Sequence, residues 1–114
     1  MNNDCVFCKI IKGEIPVKPV YEDGEFIIIN DINPIAPKHY LLIPRRHYAV
    51  LSEMTDSDAA VLARAVKRLP SLSGQLGLEN GYRLIVNQGA DAGQSVPHLH
   101  IHILAGEKMG FSIR

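Results

Sequence analysis

The chain has 114 residues, 46% hydrophobic and 21% charged, which gives room for one domain with a real core and little beyond it. Twelve Lys+Arg against twelve Asp+Glu leave a formal net charge of zero, so the basic excess that marks a nucleic-acid-binding surface is missing. Unbroken apolar stretches such as Phe26–Ile29 and Tyr40–Ile43 fall far short of the ~20 residues of a membrane span.

Met1-Asn2-Asn3-Asp4-Cys5 carries neither the basic nor the apolar segment of a secretory leader. Cys5 and Cys8 are the only cysteines, too few for a disulfide scaffold, and the expected compartment is a reducing cytoplasm. There, C-x-x-C is a redox pair, half of a metal site, or two free thiols. Cys5–Lys12 sets Val6, Ile10 and Ile11 at helical spacing with Phe7 beside them and stops at Gly13, which predicts a short helix. Val17–Glu22 and Glu25–Asn30 are strand-like runs joined by Asp23-Gly24, a hairpin turn signal. Asp31–Lys38, with Pro34 and Pro37, is a loop, and His39–Pro44 is apolar enough for a buried strand.

Thr55 is a helix cap followed by Asp56 and Asp58, whose charges suit the helix dipole. Leu62, Val66, Leu69 and Leu76 follow on one face, and Pro70 is expected to kink the helix or end it. Gly77 and Gly81 lead to a strand at Tyr82–Asn87, a loop at Gly89–Pro97 and a last strand at His98–Leu104. This order predicts a single α+β domain over residues 1–114. Its core is a five-stranded, mainly antiparallel sheet with one long and one short helix covering one face.

His98, His100 and His102 alternate with Leu99, Ile101 and Ile103, so on a strand the three imidazoles share one face. A polar sheet face that is histidine by chance needs three uncommon residues in strict alternation beside a glycine loop. One metal held by all three rings is disfavoured, because alternate residues stand ~6.8 Å apart and the outer two about 13 Å. A nucleophile with two supporting groups fits better: a neutral imidazole attacks phosphorus without first losing a proton. The preceding Gly89-Ala90-Asp91-Ala92-Gly93-Gln94-Ser95 offers backbone N–H groups and a hydroxyl to a phosphate.

Gln94-Ser95-Val96-Pro97-His98-Leu99-His100-Ile101-His102-Ile103-Leu104 resembles the signature of the histidine triad (HIT) family, His-φ-His-φ-His-φ-φ with φ apolar. The similarity extends over nearly the whole chain. Phe7-Cys8-Lys9-Ile10-Ile11 with Glu14-Ile15-Pro16 is similar to the family's first helix. Asp31-Ile32, Ala36-Pro37 and His39 are similar to its nucleoside-side loop, and Gly81-Tyr82-Arg83 with Asn87 to its fourth strand. The dinucleoside-polyphosphate hydrolase and uridylyltransferase branches usually carry Gln near the end of the triad. This chain has Ile103-Leu104 there, so it most resembles the histidine triad nucleotide-binding (Hint) branch.

That resemblance implies a homodimeric hydrolase of purine nucleoside phosphoramidates and acyl-adenylates. The alternatives are a dinucleoside polyphosphate hydrolase, or a nucleotide-binding or scaffold protein with vestigial catalysis. By the same resemblance, His100 is the nucleophile that carries the nucleotidyl group, and His102 and Ser95 contact the phosphate or leaving group. Asn87 and the backbone at Gly93 and Val96 hold phosphate oxygens, and Asp31 bonds the ribose. Val6, Phe7, Ile10, Ile29 and Ile32 wall the base, where simple core packing is the competing reading. His39 is read as a packing or supporting residue. The C-x-x-C, with His47 and His98, matches the Cys, Cys, His, His zinc set of several bacterial-type members. A structural zinc is the implied cofactor, and a redox role is disfavoured because no thioredoxin-like βαβ surrounds the thiols. Two chains are implied to join through their long helices and fourth strands into a ten-stranded sheet.

Overall fold

The computed structural model describes residues 4–113; Met1, Asn2 and Asn3, part of the leader reading above, lie outside the described residues. The elements are α1 (Val6–Ile11), β1 (Tyr21–Glu22), β2 (Phe26–Asn30), β3 (Lys38–Pro44), a short 3-10 turn (Leu51–Glu53), α2 (Asp56–Leu76), β4 (Tyr82–Ile85) and β5 (Ile101–Ala105). The five strands form one sheet in the order β1-β2-β3-β5-β4, and every pairing is antiparallel. Among the described residues, no helix is long and apolar enough to cross a membrane.

The β1–β2 hairpin turns on Asp23, whose Oδ1 accepts the N–H groups of Glu25 (2.8 Å) and Phe26 (3.1 Å). β1 is shorter than the run at 17–22 predicts. Pro16 and Pro19 cannot donate to a ladder, and only Val20 N–H reaches β2 ahead of it, at Ile28 O (2.8 Å).

Helices cover both faces of the sheet, not one. Phe26, Ile28, Tyr40, Leu42, Ile101 and Ile103 pack against Ala65, Leu69, Leu72 and Leu76 of α2. Ile27, Ile29, Leu41 and Ile43 face the other way and meet Cys5, Phe7 and Cys8 from the α1 end. That second cover explains why β2 and β3 are continuous apolar runs: strands buried on both faces have no solvent side to alternate with.

Thr55 and Asp58 close a reciprocal capping box at the start of α2, with Asp58 N–H on Thr55 Oγ1 (3.1 Å) and Thr55 N–H on Asp58 Oδ2 (3.0 Å). Both Asp58 oxygens also receive the Arg46 guanidinium. The helix runs through Pro70 to Leu76. The ring lies on the exposed face, where it removes one donor to the preceding turn. Buried Leu69, Leu72 and Leu76 keep the last turns on the sheet, and Tyr40 OH donates to Leu76 O (2.7 Å).

Candidate active site

The histidine strand begins later than its alternation predicts. His98 N–H closes a tight turn on Val96 O (2.8 Å), and Leu99 N–H is drawn to Tyr48 O (2.7 Å). The ladder therefore starts at Ile101, and of the three histidines only His102 lies within it, opposite Leu41 on one side and Ile85 on the other. The two-sided alternation survives. Ile101 and Ile103 enter the core under α2, and the His98 and His100 rings stand edge-on to Phe7 at 5.9 and 5.1 Å between centroids.

The three rings serve three different neighbourhoods. His98 joins Cys5, Cys8 and His47, four residues whose donor atoms all lie within 4.8 Å of one another. Its Nδ1 is 3.4 Å from Cys5 Sγ, 3.6 Å from Cys8 Sγ and 3.1 Å from His47 Nδ1, and Cys8 Sγ is 3.4 Å from His47 Nδ1. A tetrahedral zinc, ~2.3 Å from sulfur and ~2.0 Å from nitrogen, separates its ligand atoms by about 3.3–3.8 Å, so the spacing fits. The tautomer fits as well. His98 Nε2–H donates to Pro44 O (2.7 Å), leaving Nδ1 as a bare lone pair aimed at the other donors. Burial, aided by His47 and His100 and opposed by the Pro44 carbonyl, pushes the His98 imidazolium down to about 4, so the ring is neutral, as a ligand must be.

His100 has no part in that cluster. Its Nδ1 lies 2.8 Å from His98 O, and a carbonyl only accepts, so in the neutral ring the proton is on Nδ1 and the lone pair on Nε2.

His102 belongs to a second group, with Asp31 and His39. Ile35 N–H donates to His39 Nδ1 (3.1 Å), which puts the His39 proton on Nε2. That atom is 2.9 Å from His102 Nδ1 and 3.3 Å from Asp31 Oδ2. His102 Nδ1 is thus an acceptor, and its Nε2 carries the proton. The group has the donors of a metal site, but a proton occupies the His39 nitrogen that would have to bind the ion. Such an arrangement has the chemistry to hold and relay a proton instead. Burial, then the neighbouring His100 and His39, lowers the His102 pKa against the pull of Asp31.

His39 is the site residue that the sequence reading leaves in a supporting role. The signal is its alternation with Leu41 and Ile43, which places it on the histidine face once β3 is set beside β5.

Phe7, Ile10, Ile29 and Val96 meet in one apolar cluster beside the histidines, whereas Val6 is 40% exposed and Ile32 is 89% exposed. Asp31 is half-buried, with Oδ1 accepting Asn33 N–H (2.8 Å) and Oδ2 turned to His39. Asn87 is half-buried and Ser95 exposed. Gly93 N–H already closes a turn on Ala90 O (3.0 Å), while the Ser95 and Val96 amides have no partner among the described residues.

A family model described as the HIT domain matches residues 12–109. Protein HitA of Neisseria gonorrhoeae is 42% identical over 102 residues, spanning 90% of this chain and 95% of that protein. A HIT family hydrolase from Clostridium thermocellum has a solved structure that superposes with a TM-score of 0.93 at 48% identity, over the full length of both chains. A zinc-bound histidine triad family protein from Mycobacterium smegmatis has a TM-score of 0.81 at 33% identity, over 97% of this chain and 81% of its own. Alternating histidines on one sheet face, the same fold in solved relatives and a family match along most of its length place this protein in the HIT family.

Proposed function

We propose that this protein is a homodimeric nucleotide-binding hydrolase that cleaves purine nucleoside phosphoramidates or acyl-nucleotides to the mononucleotide through a nucleotidyl group on His100. The observation that carries the reading is the 2.8 Å bond from His100 Nδ1 to His98 O, which in the neutral ring leaves the Nε2 lone pair as the nucleophile. Similarity to HIT family hydrolases supports it.

In the first half-reaction Nε2 forms a bond to the α-phosphorus, and the P–N or P–O bond to the leaving group breaks. A departing amine takes up one proton, and the water that later cleaves the His100–phosphorus bond gives one back. His102 Nε2 is the atom that exchanges it: the His39–His102 pair enters the reaction with one added proton, gives it to the amine, becomes neutral, and recovers it from the water. Asp31 Oδ2, 3.3 Å from His39 Nε2, steadies the His39–His102 pair while it carries an extra positive charge. Ser95 and the amides of Ser95 and Val96 hold the phosphate oxygens with Asn87, and Phe7, Ile10 and Ile29 flank the base.

Zinc is the ion we assign to Cys5, Cys8, His47 and His98. It would supply a cross-link among α1, the segment after β3 and the start of the triad, with no share in the chemistry. We place the protein in a reducing cytoplasm, where both thiols stay reduced and able to ligate. The dimer reading rests on β4: it is an edge strand, Tyr82 and Leu84 on it and Val86 just after it expose 37–38% of their surface, and Val66 of α2 exposes 39%. Pairing β4 with its copy gives a ten-stranded sheet.

The test is a parallel assay of adenosine and guanosine phosphoramidates and diadenosine polyphosphates on one preparation. Faster release of AMP or GMP from the phosphoramidates is expected. Preference for the polyphosphates overturns the substrate assignment, and tight AMP binding with no turnover overturns the enzyme.

A further inference from the structure

Gln94 has no place in the chemistry above, yet it makes more directed contacts than any other side chain in the loop before the triad. Its main-chain N–H donates to Gly89 O (3.1 Å), and its Oε1 accepts Gly89 N–H (3.0 Å), so one residue takes both backbone groups of Gly89. Its Nε2 spends its two hydrogens on Ala49 O (2.7 Å) and Val96 O (3.2 Å). Both amide hydrogens are therefore committed, and the orientation is settled, because a flipped amide would set oxygen against two carbonyls.

The ring from 89 to 94 closes with Gly89 at φ +82° and Gly93 at φ +77°, left-handed conformations that residues with a Cβ rarely adopt. Two further bonds fasten the same region: Leu51 N–H to Gln88 Oε1 (2.7 Å) and Leu99 N–H to Tyr48 O (2.7 Å). Inside this fastened frame, the Ser95 and Val96 amides are left unspent.

We propose that Gln94 is a positioning residue that holds the Ser95 and Val96 amides as a preset cradle for the nucleotide's phosphate. Donors fixed before the anion arrives need no reordering on binding, which is where such amides gain their strength. The proposal rests on the functional reading above, because it requires a phosphate at His100.

The experiment compares AMP with adenosine, by calorimetry, on wild-type protein, Gln94→Met and Gln94→Glu. Methionine keeps the length and loses every side-chain hydrogen bond. Glutamate keeps the acceptor for Gly89 N–H but sets oxygen against the Ala49 and Val96 carbonyls. AMP affinity should fall about tenfold or more in both variants while adenosine affinity stays within twofold. AMP affinity within twofold of wild type overturns the proposal. So does an equal loss for both ligands, which marks a merely structural role. Wild-type protein that binds AMP no better than adenosine overturns the functional reading itself, and this proposal with it.

Discussion

The backbone carbonyl of His98 lies 2.8 Å from Nδ1 of His100, while the His98 ring faces Cys5 and Cys8. One residue thus contributes its side chain to the thiol cluster and its main chain to the tautomer of His100. His100→Ala or His100→Gly should cut turnover by ~10³-fold or more and leave nucleotide binding measurable. Unchanged turnover in either variant eliminates the histidine-linked mechanism.

The metal prediction concerns stability more than rate. Wild-type protein should carry about one zinc per chain, and Cys5→Ser/Cys8→Ser should carry none. The double variant, or chelated wild type, should melt ~10 °C lower or more, with a smaller change in kcat. Equal zinc content in the two proteins removes the assignment.

The roles proposed for His39 and His102 can be separated from that of His100 by the choice of leaving group. His39→Gln keeps an N–H donor for His102 Nδ1 but cannot share an extra proton. A phosphoramidate must protonate its departing amine, whereas an acyl-adenylate expels a carboxylate that needs no proton. We expect a loss of ~10²-fold on the phosphoramidate and under ~10-fold on the acyl-adenylate. Equal losses on both would mean that the pair does not handle the proton.

Acid should act on the start of α2. The Arg46 guanidinium, with the backbone and hydroxyl of Thr55, holds the Asp58 carboxyl well below the usual carboxylate range against its desolvation. A folded-state pKa below the unfolded one adds stability that is complete above the unfolded value near ~4 and drains away as pH falls. Asp58→Asn should lower the melting temperature by ~5 °C at pH 7 and by progressively less toward pH ~2. Parallel curves for the two proteins across that range would refute the linkage.

Assembly is read from mass. Sedimentation should report twice the mass of one chain, and Leu84→Asp, a charge on the exposed face of edge strand β4, should give a monomer. Wild-type protein that stays monomeric and fully active at micromolar concentration would refute the dimer.

Much of the fold is legible in local pattern. Asp23-Gly24 and the Thr55 cap each act within a few residues and lie where the pattern predicts. The period-two histidines keep neighbouring rings, although only His102 lies in the ladder. The delayed start of β5 is illegible, because it depends on Tyr48 O drawing Leu99 N–H away from the ladder. His39 is illegible for the same kind of reason: its partner His102 is 63 positions away, and only the β3–β5 pairing joins them. The continuation of α2 past Pro70 is decided by buried leucines on the opposite side of the helix, a tertiary effect that outweighs a local breaker.

Cys5 and His98 are 93 positions apart, yet their donor atoms stand 3.4 Å from each other. Until position 98 is made, a ribosome-bound chain holds Cys5 and Cys8 with at most His47 for company, and His98 is the last donor of the set to emerge. In the reading proposed above, full coordination waits until four of the five strands have been made. Ion capture then works as a late seal: premature termination anywhere before His98 yields a fragment with an incomplete, exchangeable ligand set, chemically marked as unfinished.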